Sequence, residues 1–232
     1  MEVVPLNNST PKSGQRDKEM YRCEATSVQG FIQQLAVSYV GRGYWFYVAG
    51  AVPEGKDPSV VDEKLIKKYE IGISKWSRAR RRRAGLASIQ YIRFGRFFVL
   101  LATLGEHRFF AEEGEIRDIR RFPIRCYGYS ISYRQGRDGK WHPSVRIDAA
   151  EFAVLKARLL RVALTGSVDF LASRVRALRF AAYAPVRNQY RQLLRELNRK
   201  RRLASLEALP GGILPTRRRV VGPFERMGTR DH

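Results

Sequence analysis

Residues 87–104 read ASIQYIRFGRFFVLLATL. Two apolar runs, Ala87 to Phe94 and Phe97 to Leu104, flank the pair Gly95-Arg96. That grammar predicts a β-hairpin, because glycine enters the tight turn that two paired strands require. The hairpin fixes the sheet as antiparallel at this point, and the rest of the chain is read outward from it.

Upstream, Val28, Phe31, Ile32, Leu35, Ala36 and Tyr39 recur at three- and four-residue spacing behind Thr26 or Ser27, which predicts a capped helix. Gly41 and Gly43 end it, and Tyr44 to Val52 reads as a buried strand closed by Pro53. A second helix starts at Pro58 with Val61, Leu65, Ile66 and Tyr69 on its inner face. Asp57 and Asp62 are expected to serve that helix's N-terminus, where negative charge is favourable. Ser74 caps a short helix from Lys75 to Arg83 that stops at Gly85.

Downstream, residues 105–122 read as irregular. Pro123 to Arg134 is one strand candidate, returned by the turn Arg137-Asp138-Gly139-Lys140 into Trp141 to Ile147. Ala149 to Leu164, Val168 to Leu178 and Val186 to Leu203 read as helices. The order predicts an α+β fold: a mostly antiparallel five-stranded sheet with flanking helices, followed by a basic helical C-terminal extension. The expected divisions are a flexible arm over 1–22, the α+β core over 23–148, the basic helical region over 149–205 and a loosely held Arg/Gly/Pro-rich tail over 206–232.

Charge dominates the composition. The 232 residues carry 44 Lys plus Arg against 22 Asp plus Glu, a formal charge of +22, and 34 of the cations are arginine. So basic a chain points to a polyanionic partner, and arginine is the better donor for bidentate phosphate and base-edge contacts. Hydrophobic residues make up 44% of the chain, enough for a packed core, which excludes a disordered basic tail protein. The longest apolar run, Phe97 to Leu104, is too short to span a bilayer, and the first residues lack an apolar stretch of signal-peptide length. A cytoplasmic protein without membrane contact is expected. Cys23 and Cys126 read as reduced thiols, and the Cys/His spacing of a zinc site is absent.

Three basic clusters are the candidate nucleic-acid contacts. Lys75, Arg78, Arg80, Arg81, Arg82 and Arg83 place six cations in nine residues, a density that destabilises a helix unless an anion neutralises it. Arg187, Arg191, Arg195 and Arg199 step by four along the last helix, and Arg202 extends the line over roughly 20 Å. Such a strip can follow one strand's phosphates or lie in a groove. Arg217, Arg218 and Arg219 form the third cluster, in the tail. Aromatic runs such as Tyr44 to Tyr47 and Phe94 to Phe98 read as core. The segment Phe94 to Leu101 shares only Gly95, Phe98 and Val99 with the RNA-recognition-motif strand signature.

These features point to a non-catalytic nucleic-acid-binding protein with no cofactor and no metal, holding structured RNA in a ribonucleoprotein or the DNA of a mobile element or replicon. Two other classes are kept. The layout resembles, at the level of fold, the replication-initiator and single-strand transposase families, whose site requires two His separated by one apolar residue on a strand, to hold a divalent metal, and a Tyr nucleophile on a helix. Here Glu106-His107-Arg108-Phe109 supplies one His, and His142 is followed by Pro143 and Ser144. A metal-dependent nickase would therefore use a degenerate set: Glu106, His107 and His142 as ligands, with Tyr183 or Tyr190 as nucleophile. The third class is an assembly subunit whose basic surface meets an acidic protein.

Overall fold

The computed structural model describes residues 21–136 and 138–225. Most of the expected arm (1–20), the turn residue Arg137 and the last seven residues of the expected tail lie outside the described residues.

Helix α1 (Val28–Gln33) is capped by Ser27, whose Oγ accepts from the Gly30 N–H at 3.1 Å. It runs on through a π-helical turn, Gln34–Tyr39, and a 3-10 turn, Val40–Arg42. Of the strip read from the sequence, Phe31, Ile32, Leu35, Ala36 and Tyr39 are buried and Val28 is half-buried; Val40 joins them in the core. Strands β1 (Tyr44–Ala51), β2 (Ile89–Phe94), β3 (Phe97–Thr103) and the two-residue β4 (Arg117–Asp118) form an antiparallel sheet in the order β2-β3-β1-β4. The hairpin closes as expected, with Phe94 opposite Phe97.

This sheet is covered on both faces, which is why β3 reads as an unbroken apolar run. Ile92, Val99 and Leu101 face α1 and the second sheet. Tyr91, Leu100 and Ala102 face the opposite way, into a cluster with Tyr69, Ile71 and Phe109. Those three come from the far side of the sheet, behind α2 (Pro58–Lys68) and at the start of α4 (Phe109–Glu112). Between α2 and the hairpin lies α3 (Lys75–Arg83).

The expected single sheet of five strands is two sheets. Strands β5 (Ile124–Cys126), β6 (Tyr129–Gln135) and β7 (Trp141–Ile147) make a separate three-stranded antiparallel sheet. What reads as one strand from Pro123 to Arg134 is two, folded back at Tyr127-Gly128 with Cys126 opposite Tyr129. Both turn residues are left-handed, at φ 49° and 75°. Tyr127 is held there because its ring packs edge-on against Phe31, Phe94 and Phe97 and its hydroxyl donates to the Phe94 carbonyl at 2.6 Å. The sheets also meet through stacked rings. Trp45 on β1 lies on Tyr133 of β6 at 5.3 Å, and Tyr133 lies on Trp141 of β7 at 5.8 Å.

Helices α5 (Ala149–Arg161), α6 (Val168–Arg176) and α7 (Ala184–Leu203) follow. They do not hang off the core. Val186 and Tyr190 of α7 are buried with Ile124, Tyr129 and Ile131 of the second sheet. Gln189 also bonds both the N–H and the carbonyl of Ile147, at 2.8 and 3.0 Å. Farther along, Leu193 and Leu197 join Leu159, Leu171, Leu209 and Ile213 in a helical cluster. Residues 209–225 are strapped down rather than loose. Leu209 and Ile213 are buried, and the Thr26 N–H donates to the Pro223 carbonyl at 2.9 Å, so the strap returns to the start of α1.

At the other end, Tyr21 and Arg22, expected in the arm, precede an extended segment along β2. The Arg93 N–H donates to the Cys23 carbonyl at 2.8 Å, and the Ala25 N–H to the Arg93 carbonyl at 2.7 Å. The Tyr21 hydroxyl lies 2.7 Å from both Gln90 Oε1 and the Tyr91 carbonyl. Beneath this segment Asp62, which the sequence assigned to the N-terminus of α2, points inward and is buried; Asp57 alone caps that helix. Asp62 accepts from Tyr91 Oη at 2.6 Å and from Arg93 Nη2 at 2.8 Å. The Cys23 Sγ is 3.3 Å from the same carboxylate, and burial beside that charge pushes the thiol up to about 12.

Candidate nucleic-acid interface

Helix α3 starts at Ser74, whose Oγ accepts from the Ser77 N–H at 3.1 Å, and it buries none of its residues. Its six cations divide by face. Arg78 turns inward and donates to the Ile73 carbonyl at 2.5 Å, and Arg81 is paired with Glu70. The Arg81 guanidinium holds the Glu70 carboxyl below the usual carboxylate range. Lys75, Arg80, Arg82 and Arg83 are exposed, with no acidic side chain in ion-pair range among the described residues. The candidate set on this helix therefore narrows from six to four. Trp76 stands among them with 83% of its surface exposed.

On α7 the apolar residues Val186, Tyr190, Leu193, Leu194 and Leu197 occupy the inner face, which leaves the arginine strip outside. Its first member is tethered: Arg187 is half-buried and donates to the Ala182 carbonyl at 2.8 Å. Arg191 donates to Asn188 Oδ1 at 2.8 Å, and Arg202 to the Asn198 carbonyl at 3.3 Å. Neither of those bonds neutralises charge. The helix's one acid, Glu196, is engaged by Lys156 at 2.7 Å, which holds its carboxyl low. Arg191, Arg195, Arg199 and Arg202 thus present exposed charge without an acidic partner among the described residues. Arg187, Arg191 and Arg195 also wall a cleft of about 390 Å³ whose floor is Leu194, Leu214 and Pro215.

The tail cluster separates in the same way. Arg217 and Arg219 are exposed, but Arg218 lies 4.5 Å over the Tyr183 ring and bonds Gln33. It fastens the C-terminal strap to α1 and α7, a structural task that the triplet does not advertise.

The structure does not assemble the degenerate nickase site. Tyr190 is wholly buried, its hydroxyl donates to the Phe180 carbonyl at 3.1 Å, and burial pushes its ionisation upward. Tyr183 is covered by Arg218. His142 stands exposed on β7 and pairs with Asp138 at 2.9 Å. His107 belongs to the other sheet's side, where its Nδ1 accepts from the Phe109 N–H at 3.1 Å and caps α4. It shares with Glu106, Glu70, Arg81 and Arg108 an open groove of about 550 Å³. Burial and the nearby Arg81 and Arg108 push its imidazole below its ordinary pKa. Among the described residues no three His, Cys, Asp or Glu side chains come together as a metal site would require.

Two features escaped the sequence reading. The exposure of Trp76 is one, since a Trp beside an Ala at helical spacing resembles a packed face. The other is the column of Arg120, Trp45, Tyr133 and Trp141, with Arg120 4.7 Å over the Trp45 ring. It draws on three strands and a loop, so no local signal carries it. Comparison with protein-family models, curated proteins and solved structures finds no match to this chain.

Proposed function

We propose that this protein binds nucleic acid without chemistry, holding a phosphate backbone through the exposed cations of α3 and α7. The observation that carries the reading is that eight cations, Lys75, Arg80, Arg82, Arg83, Arg191, Arg195, Arg199 and Arg202, lie exposed on two helices without acidic partners among the described residues. Like charges crowded on a nine-residue helix oppose its formation, and an anion relieves that cost. Arginine suits phosphate because its planar fork donates two parallel bonds. Either a structured RNA in a ribonucleoprotein or the DNA of a mobile element offers the required spacing of negative charge.

The test is anisotropy titration of a labelled RNA and a labelled DNA at several salt concentrations. With six to ten phosphates engaged, affinity falls by about 10³- to 10⁵-fold between 50 and 200 mM salt. Affinity that is flat with salt, or absent at low salt, overturns the reading.

A further inference from the structure

The three tryptophans of this chain sit in different circumstances. Trp45 is stacked on Tyr133 and covered by Arg120, and Trp141 stacks on the other side of Tyr133. Trp76 is 83% exposed, on a helix none of whose residues is fully buried. An indole left in water forgoes the burial of about 150–250 Å² of mostly apolar surface. The fold gains nothing visible from it.

Its neighbours indicate what covers it. One turn and two turns along α3 from Trp76, at i+4 and i+7, stand Arg80 and Arg83. Both are exposed and without an acidic partner among the described residues. One helix face therefore presents an open aromatic plane followed by two free guanidiniums. A ligand matching that row has a flat π-surface and anions on the same backbone. Duplex bases have their faces occupied by stacking, whereas unpaired bases offer them. A lipid surface fits less well: Ala79 is the only other apolar residue from Lys75 to Arg83, so the helix has no apolar face to seat among acyl chains.

We infer that Trp76, Arg80 and Arg83 form a stacking platform for an unpaired base in single-stranded nucleic acid or in a loop of structured RNA. This rests on the proposed phosphate binding and adds the class of nucleic acid to it. Trp76 stacks the base, and the two arginines hold the adjoining phosphates.

The experiment compares wild type with Trp76→Ala and Trp76→Phe on three probes: a single-stranded oligonucleotide, a blunt duplex of equal length and inorganic polyphosphate, which has charge but no bases. Circular dichroism confirms that both variants are folded. Trp76→Ala is expected to weaken single-strand binding about 5- to 150-fold, and Trp76→Phe to restore most of it. The loss on duplex and polyphosphate is expected to be several-fold smaller. An equal loss on all three probes, or none on the single strand, overturns the stacking platform and leaves phosphate binding standing. Failure of wild type to bind any probe overturns phosphate binding itself. Capture of anionic vesicles that depends on Trp76, with oligonucleotide binding unaffected, assigns the face to a membrane and also overturns the inference.

Discussion

A single buried carboxylate ties three segments together. Asp62 on α2 receives Arg93 and Tyr91 from β2 and faces Cys23 in the segment that runs beside that strand. Arg93 also reaches Glu24 at 3.0 Å. Asp62→Ala leaves a buried guanidinium without its main counter-charge, so equilibrium urea unfolding is expected to show a loss of about 3–5 kcal/mol. Replacing both partners, with Asp62→Leu and Arg93→Met, recovers much of that loss. His107 gives a pH dependence with a definite sign. The fold favours the neutral imidazole, whose Nδ1 caps α4, so the unfolded chain binds the proton more readily. Its contribution is present above the ordinary pKa of about 6.5 and is lost as pH falls through the lower folded value. Urea midpoints of wild type and His107→Gln are therefore expected to converge on acidification. Caps such as Ser27, Asp57 and Ser74 were legible residue by residue, because each acts on a backbone N–H two or three positions away. Asp62 was not: its partners are about thirty residues distant, and nothing local separates a capping aspartate from a buried one.

The elements were legible where the pattern was continuous, as in the 87–104 hairpin, and lost where a turn lacked its usual residues. Tyr127-Gly128 replaces the Asn-Gly or Asp-Gly that marks a left-handed turn, so β5 and β6 fused in the reading. The two residues of β4 are too few to carry a period, and Asp118 pairs with Phe46 at the sheet's edge inside what read as loop. On α7 the charge pattern needed the structure to sort it. Arg201, among its cations, is buried and donates to the carbonyls of Ala163 and Gly166 at 2.8 and 2.9 Å, sealing the turn that follows α5. Arg201→Ala strands those carbonyls, and thermal or urea unfolding is expected to register a loss of about 2–4 kcal/mol. Its outer neighbours behave oppositely. The triple change Arg191→Ala, Arg195→Ala and Arg199→Ala leaves stability within about 0.5 kcal/mol. It is expected to lower the slope of log K against log salt by about 2–3, read by anisotropy.

At the scale of the molecule, composition announced the excess of positive charge but not its division of labour. Some arginines, such as Arg93, Arg201 and Arg218, work inside the fold, and the set proposed to meet nucleic acid is drawn from the exposed remainder. The two sheets, with α1 between them and α7 seated on the smaller one, were legible only as an α+β class, because sheet membership depends on pairings far apart in sequence. The strap described above brings residues 223–225 onto residue 26, where the Thr26 N–H meets the Pro223 carbonyl. The approach is close enough that a Cβ on Gly30 would lie 2.8 Å from the Gly222 carbonyl oxygen. The approach of residues 223–225 to residue 26 means that the described segment, residues 21–225, lends itself to closure into a ring. Splicing residue 225 to residue 21 takes a Gly/Ser linker that runs back beside the extended residues 21–26, about 17 Å, and a loop of that size costs little to close. Opening the ring between Gly114 and Glu115, at an exposed bend, should give a circular permutant with the parental circular dichroism spectrum and oligonucleotide affinity. In that form both cation-bearing helices stay in place while the points of attachment move to the far end of the chain, so a reporter can be fused without touching the strap.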